Sequence, residues 1–219
     1  MREITDRIIY GYERLQSTNT HSVDAYRDDL TMKNQELGAP DFSSMTQVHG
    51  NHIETARGGV IHEATDGLVT DHYGLILYGR FADCLPIIVW DETRPLIGIA
   101  HAGWQGTAGR ISLRLVEHMI NLGAKKLRAW IGPGICLKHY QVSPGFELQV
   151  QPMDSRSMVI RNQDHFFDLK QENRSQLEVY LKAEAIEVSD ICTYEDSDYY
   201  SYRRDKAERG RNIGYIMLK

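Results

Sequence analysis

Phe81-Ala82-Asp83-Cys84-Leu85-Pro86-Ile87-Ile88-Val89-Trp90 joins two apolar runs across a short break, and its reading decides the fold. The run that ends in it, Gly74 to Phe81, has the length and bulk of a buried strand. Pro86 has no N–H to give to a ladder, so it belongs at a sheet edge, at a bulge or at the start of a strand. Ala82 to Leu85 then form an irregular step into a second strand, Ile87 to Trp90. Polar Asp91 to Pro95 reads as a hairpin-type connection, and Leu96 to Ala100 as the return strand. Cys84 therefore sits in a break between strands and His101 just beyond a strand end, positions where reactive side chains are mounted on a rigid frame.

Toward the N-terminus, Ile8 to Tyr12 is a strand candidate and Gln16 to His21 a polar turn. A helix is expected from Ser22, an N-cap residue, to Leu37, with Gly38-Ala39-Pro40 as its stop. Ser44 to His49 reads as a strand ended by Gly50-Asn51, which places His49 at a strand end, and Asp66 to Thr70 as a turn entering a short strand. Toward the C-terminus, Ile111 to Ile120 has the apolar spacing of an amphipathic helix closed near Gly123. Leu127 to Ile131 is the next strand, ended by Gly132-Pro133-Gly134. Then come a strand near Tyr140 to Val142, a helix from Leu169 to Leu181 and a last strand from Ile213 to Leu218. Neither a repeat of fixed period nor a linker interrupts the pattern, so residues 1–219 are expected to form a single domain.

The chain carries 25 basic and 30 acidic residues, a net charge of -5 without a Lys/Arg cluster large enough to reverse it, which excludes an electrostatic footprint for nucleic acid. The charged Met1 to Arg7 segment lacks the apolar core of a signal peptide, and no apolar run reaches membrane-spanning length. A soluble, cytoplasmic protein without a membrane partner is expected. Its three cysteines, Cys84, Cys136 and Cys192, are an odd number without framework spacing and suit a reducing compartment.

Cys84, His49 and His101 are the side chains that invite chemistry. One thiolate and two imidazoles suit Zn²⁺, and a catalytic zinc takes three protein ligands and keeps a fourth position open. The same residues read equally as a metal-free hydrolase of an amide or ester, Cys84 being the nucleophile and a histidine its base. A cysteine among apolar residues is also the ordinary packed small hydrophobe, and the long spacings between the three residues obey no short-range ligand rule. Trp104 is a stacking platform or a packing plug. Arg203, with Arg204, Arg209 and Arg211, forms a basic cluster that could hold a phosphate or simply face solvent.

Gln47-Val48-His49-Gly50, Asp66-Gly67-Leu68-Val69-Thr70, Ala82-Asp83-Cys84-Leu85-Pro86 and His101-Ala102-Gly103-Trp104-Gln105-Gly106 together resemble, in order and spacing, the multicopper polyphenol oxidase family, also called laccase-domain or YfiH-type proteins. Gly132-Pro133-Gly134-Ile135 with Tyr140, Phe167-Asp168-Leu169 with Asn173-Arg174, Cys192-Thr193-Tyr194 and Ser201-Tyr202-Arg203-Arg204-Asp205 extend the likeness over residues 44–219. The resemblance implies an α+β fold, a four-layered α/β/β/α sandwich with mixed sheets. It also implies a zinc held by His49, Cys84 and His101, with these three as the catalytic residues. Further implied are phosphorolysis of purine nucleosides with phosphate (adenosine, inosine, guanosine or methylthioadenosine) and hydrolytic deamination of adenosine, with Trp104 and Arg203 as candidates for binding the substrate. The family label also includes copper-dependent polyphenol oxidases, but none of the nine histidines forms the His-x-His pairs on which multicopper sites draw. Glu13 to Ala25 departs from the family pattern, lacking its Gly-Gly turn and Ser-Leu-Asn segment.

Overall fold

The computed structural model describes residues 2–4, 8–15, 27–151, 153–206 and 210–219. The expected turn at Gln16–His21 and helix start at Ser22 lie outside these residues. In chain order the elements are β1 (Arg2–Ile4), β2 (Ile8–Arg14), α1 (Arg27–Leu37), β3 (Asp41–Met45), β4 (Ile53–Thr55), β5 (Ile61–His62) and β6 (Gly67–Thr70). Then follow β7 (Leu75–Phe81), β8 (Leu85–Asp91), β9 (Ile97–Ala102), α2 (Trp104–Ala108), α3 (Ile111–Asn121) and β10 (Leu127–Ile131). The chain continues through β11 (Gln141–Val142), β12 (Met158–Arg161), β13 (Asp164–Phe167), α4 (Leu169–Leu177), β14 (Ile186–Val188), α5 (Tyr202–Asp205) and β15 (Asn212–Leu218).

Two mixed sheets of six strands carry the fold, in the orders β1-β2-β15-β7-β3-β5 and β14-β10-β8-β9-β6-β4. They stack face to face, and the alternation along β8 shows why. Ile88 and Trp90 point between the sheets to meet Tyr10, Leu77, Phe81 and Ile99, while Ile87 and Val89 point outward to Leu115, Val116, Met119 and Leu177 of α3 and α4. A strand covered on both faces reads as one uninterrupted apolar run, which is the Ile87–Trp90 pattern. On the other side, Leu30 and Leu37 of α1 cover Ile76, Tyr78, Tyr215 and Met217. The result is the expected α/β/β/α sandwich. Each fully buried aliphatic side chain contributes roughly 1.5–3 kcal/mol. β11, β13 and β12 form a small third sheet at one end.

Antiparallel register between β8 and β9 sets Leu85 opposite Ala102 and Pro86 opposite His101, so Cys84 comes to lie beside the end of β9. Pro86 is tolerated because it is only the second residue of its strand, which begins at Leu85 rather than Ile87. Directly after β9, α2 is locked to α4 by buried amides: Asn173 Nδ2 donates to Thr107 Oγ1 at 2.9 Å, and Gln176 Nε2 to Thr107 O at 2.8 Å. α4 itself is capped by Asp168, whose carboxylate accepts from Gln171 N at 3.0 Å, and it ends at Leu177, short of the expected Leu181.

His49 departs from expectation. β3 ends at Met45, and Thr46 to Val48 leave the sheet, so that His49 occupies a turn with φ of 60° rather than a strand end. The cause is Asp66. Its carboxylate collects the N–H groups of Val48, His49 and Gly50 at 3.1, 3.0 and 2.7 Å and winds the segment into a tight bend in place of a ladder.

A thiol and two imidazoles at the floor of an arginine-lined cleft

The donor atoms of His49, Cys84 and His101 all lie within 4.8 Å of one another. Three different local devices bring them together. His101 is fixed by the β9 ladder and is 3% exposed. Cys84 is presented by the bend between β7 and β8, where Asp83 takes a φ of 80° and turns the chain. His49 is presented by the Asp66-centred turn, and Gln47 anchors that turn to β7 by pairing its side-chain amide with the backbone of Arg80, donating to Arg80 O at 2.8 Å and accepting from Arg80 N at 2.9 Å. Gly103 leaves room at the centre. A Cβ there would lie 2.9 Å from Cys84 Sγ and 3.1 Å from His49 Cδ2.

Asp66 is completely buried and lies 2.9 Å from Nδ1 of His101. Assigning the proton to Nδ1 leaves Nε2 as the lone-pair nitrogen facing the thiol, the carboxylate–histidine arrangement that orients metal ligands. Burial raises the pKa of Asp66, but the His101 hydrogen bond and the backbone donors outweigh it and hold the carboxyl below its usual value. Burial likewise pushes the Cys84 thiol up, yet the positive charge of His101 and hydrogen bonds from both histidines bring it down to about 6. Burial lowers His101, while the Cys84 thiolate and Asp66 raise it to about 9. The two histidines thus favour the thiolate form of Cys84, and the three side chains are held in place by the fold. A borderline-soft divalent ion suits this set of one thiol and two imidazoles, with solvent or substrate completing its coordination.

A cleft of about 600 Å³ opens over these atoms, within the size range of small-molecule sites. Arg80, Arg203 and Arg211 line it together with Trp104, Tyr140, Ile135 and Leu169. Burial and then the like charge of Arg80 push the Arg211 guanidinium below its ordinary value. Two like-charged guanidinium groups side by side give this part of the cleft a positive potential. Arg203 reaches the cleft from α5, donating Nη1 to Gln141 O at 3.0 Å with its guanidinium carbon 5.4 Å from the centre of the Tyr140 ring. Trp104 lines the cleft and also packs on Phe146, ring centres 5.4 Å apart, so it is both wall and plug.

The expected basic cluster divides. Arg203 and Arg211 face the cleft, whereas Arg204 spends its guanidinium on the carbonyls of Thr193 (2.7 Å) and Tyr199 (2.7 Å); Arg209 lies outside the described residues. Asp83, adjacent to Cys84, is no proton donor for the cleft: its oxygens accept from Thr193 Oγ1 and Arg203 N, both at 2.7 Å. Sequence reasoning gave no role to Asp66, Gln47 or Arg80. The first two stood inside quoted motifs, but their partners are remote in sequence and only the fold reveals them.

Comparison with known proteins follows the same lines. The sequence profile of a family described as "Multi-copper polyphenol oxidoreductase laccase" matches residues 16–219. A Deinococcus radiodurans protein named purine nucleoside phosphorylase is 39% identical over 185 residues, covering 83% of this chain and 72% of the relative. A protein from an unknown prokaryotic organism, named adenosine deaminase RL5, is 30% identical over 166 residues, 72% of this chain and 63% of the relative. The crystal structure of Bacillus licheniformis hypothetical protein YfiH superposes with a TM-score of 0.88 at 28% identity, covering 97% of this chain and 93% of that one.

Proposed function

This chain belongs to the multi-copper polyphenol oxidoreductase laccase family, and from that premise we propose that it is a zinc-dependent enzyme acting on purine nucleosides, by phosphorolysis and by deamination of adenosine. The observation that carries the reading is the convergence of His49, Cys84 and His101 beneath a cleft walled by Arg80, Arg203 and Arg211. Relatives named for both activities support it. His49, Cys84 and His101 would hold the ion. When bound, it supplies Lewis acidity, polarising a substrate atom and lowering the pKa of water.

The remaining roles belong to the protein's own side chains. Asp66 keeps His101 in one tautomer and one orientation. Arg80 and Arg211, with Arg203 at the rim, neutralise phosphate and hold one of its oxygens toward C1′ of the ribose. That oxygen bonds to C1′ as the bond from C1′ to the purine nitrogen breaks, and the electron pair of the broken bond leaves with the base, which takes a proton from solvent. Trp104 and Tyr140 offer flat faces to the purine, and Ile135 and Leu169 exclude bulk water. In deamination, water adds to C6 of adenine and ammonia departs. A copper-dependent polyphenol oxidase is the weaker reading, because one thiol and two imidazoles provide for one ion and no His-x-His pair is present.

The closeness of the Cys84 thiol to the His101 and His49 imidazoles favours a second reading, a metal-free thiol hydrolase. One experiment separates the two. Purified protein is assayed by chromatography for turnover of adenosine, inosine and guanosine, with and without phosphate, before and after chelation. Base and ribose phosphate formed with phosphate, inosine formed from adenosine, loss of both on chelation and recovery with zinc are expected. No turnover in zinc-loaded protein, or turnover indifferent to chelation, overturns the proposal.

A further inference from the structure

A second group of soft donors lies apart from the cleft floor: Cys136, His139 and Cys192, with donor atoms all within 4.8 Å of one another. We propose that these residues form a second zinc site, one that staples the cleft wall rather than touching substrate. His139 Nδ1 lies 3.4 Å from Cys136 Sγ and 3.9 Å from Cys192 Sγ. A tetrahedral zinc with Zn–S near 2.3 Å and Zn–N near 2.0–2.1 Å places such a nitrogen and sulfur about 3.6 Å apart, between the two observed values. Glu195 Oε1 lies 3.5 Å from the same nitrogen but is held by Lys138 Nζ at 2.9 Å and falls outside the group of mutually close donors, so the fourth position is left to water. Two thiolates and an imidazole are zinc ligands, and a water completes the tetrahedron.

The surroundings are built to hold the donors. The His139 ring stacks on Tyr194 with centres 4.4 Å apart and planes 19° apart, which fixes the direction of Nδ1. Cys192 is buried, and its sulfur accepts from Cys136 N at 3.3 Å. A bridge between Gly134 and Cys192, with Thr193 N donating to Gly134 O at 3.2 Å, holds the two segments in register. Lys170, whose Nζ donates to Ser189 O and Ile191 O at 2.7 and 2.8 Å, sets a positive charge nearby. A disulfide between the two cysteines would leave the imidazole facing both sulfurs without a task, whereas an ion uses all three. Closure of the site ties the segment bearing Ile135 and Tyr140, which line the cleft, to Thr193, whose hydroxyl holds Asp83 beside Cys84.

The test is a zinc count on the full chain, purified under reducing conditions, loaded with zinc and desalted. It stands apart from the proposed activity, because it is read in Cys84→Ala protein, where the cleft set is incomplete. Two equivalents are expected in the parent, one in Cys84→Ala, and none in Cys84→Ala with either Cys136→Ser and Cys192→Ser or His139→Ala. Cobalt loaded into the Cys84→Ala protein, with the second set intact, is expected to give the near-ultraviolet charge-transfer absorption of thiolate ligands and the visible bands of tetrahedral coordination. Thiol titration in denaturant, without reductant and after metal removal, is expected to find Cys136 and Cys192 both free. Absence of stoichiometric zinc from Cys84→Ala, zinc retained after loss of Cys136 and Cys192, or a recovered disulfide between them overturns the inference.

Discussion

Replacing Asp66 by asparagine changes one atom and the charge, yet it should dismantle the candidate metal site. The carboxylate of Asp66 faces only donors. One oxygen meets His49 N at 3.0 Å and His101 Nδ1 at 2.9 Å, and the other meets Val48 N and Gly50 N at 3.1 and 2.7 Å. An amide has one accepting end. If its oxygen serves Val48 and Gly50, its NH2 faces His101, and the ring must move its proton to Nε2, the nitrogen needed for an ion. If its oxygen serves His101, its NH2 opposes the N–H groups of Val48 and Gly50, and the turn that presents His49 loses its anchor. Each unmet buried donor costs about 1–3 kcal/mol, so two of them amount to about 2–6 kcal/mol, a large part of the 5–15 kcal/mol stability typical of a domain. Loss of a carboxylate behind a ligating histidine also weakens metal binding by about 10- to 100-fold. Competition against a chromophoric zinc chelator measures the affinity, and urea unfolding of the chelated protein measures the stability. Asp66→Asn protein that binds zinc within threefold of the parent and unfolds at the same urea concentration would refute the reasoning.

Two other perturbations probe different links. Gly103→Ala leaves the backbone unstrained, since φ there is -81°, and acts only by driving Cys84 Sγ and His49 Cδ2 apart; overpacking of about 1–3 kcal/mol corresponds to roughly 5- to 150-fold weaker zinc binding with an unchanged circular dichroism spectrum, and unchanged affinity would contradict it. Asp91 is buried at the end of β8 and accepts from Thr93 N and Oγ1, both at 2.7 Å, from Arg94 N at 3.1 Å, and from Lys125 N and Lys126 N. Burial raises its pKa, but the Thr93 hydroxyl and the backbone donors outweigh this and depress it, so its contribution to stability is complete above the unfolded carboxylate pKa of about 3.9 and is lost as pH falls through the lower folded value. Asp91→Ala should therefore cost about 1–3 kcal/mol at pH 7, with a smaller difference from the parent in unfolding measured at pH 3. An equal difference at both pH values would show that the charge of Asp91 does not contribute.

The strands at the centre of each sheet were legible because their residues leave no doubt: Leu75 to Phe81 and Ile87 to Trp90 are bulky, apolar and bounded by turn residues. The short edge pieces β4, β5 and β14 were not, since two or three residues carry no period. His49 was misplaced because Thr46-Gln47-Val48 has β propensity, while the force that bends it comes from Asp66, on a different element. Cys84 and His101 stood out as chemistry, but their convergence rests on a β8–β9 register that no local spacing encodes. Cys136 and Cys192 read as unpaired thiols. Cys136 and His139 drew no attention as a pair, and their completion by Cys192 depends on a bridge formed across distant sequence.

Phe81 separates two workpieces. Arg80 lies in β7 and Arg211 directly precedes β15 in one sheet, Cys84 precedes β8 and His101 lies in β9 of the other, and the Phe81 ring packs in the core between the sheets, 5.6 Å from the His101 ring and against Gly79 and Gly214, where no side chain intrudes. The reach from arginine to thiol is thus an interlayer gauge. A smaller side chain at this position is expected to draw the two layers, and the reactive groups they carry, closer together.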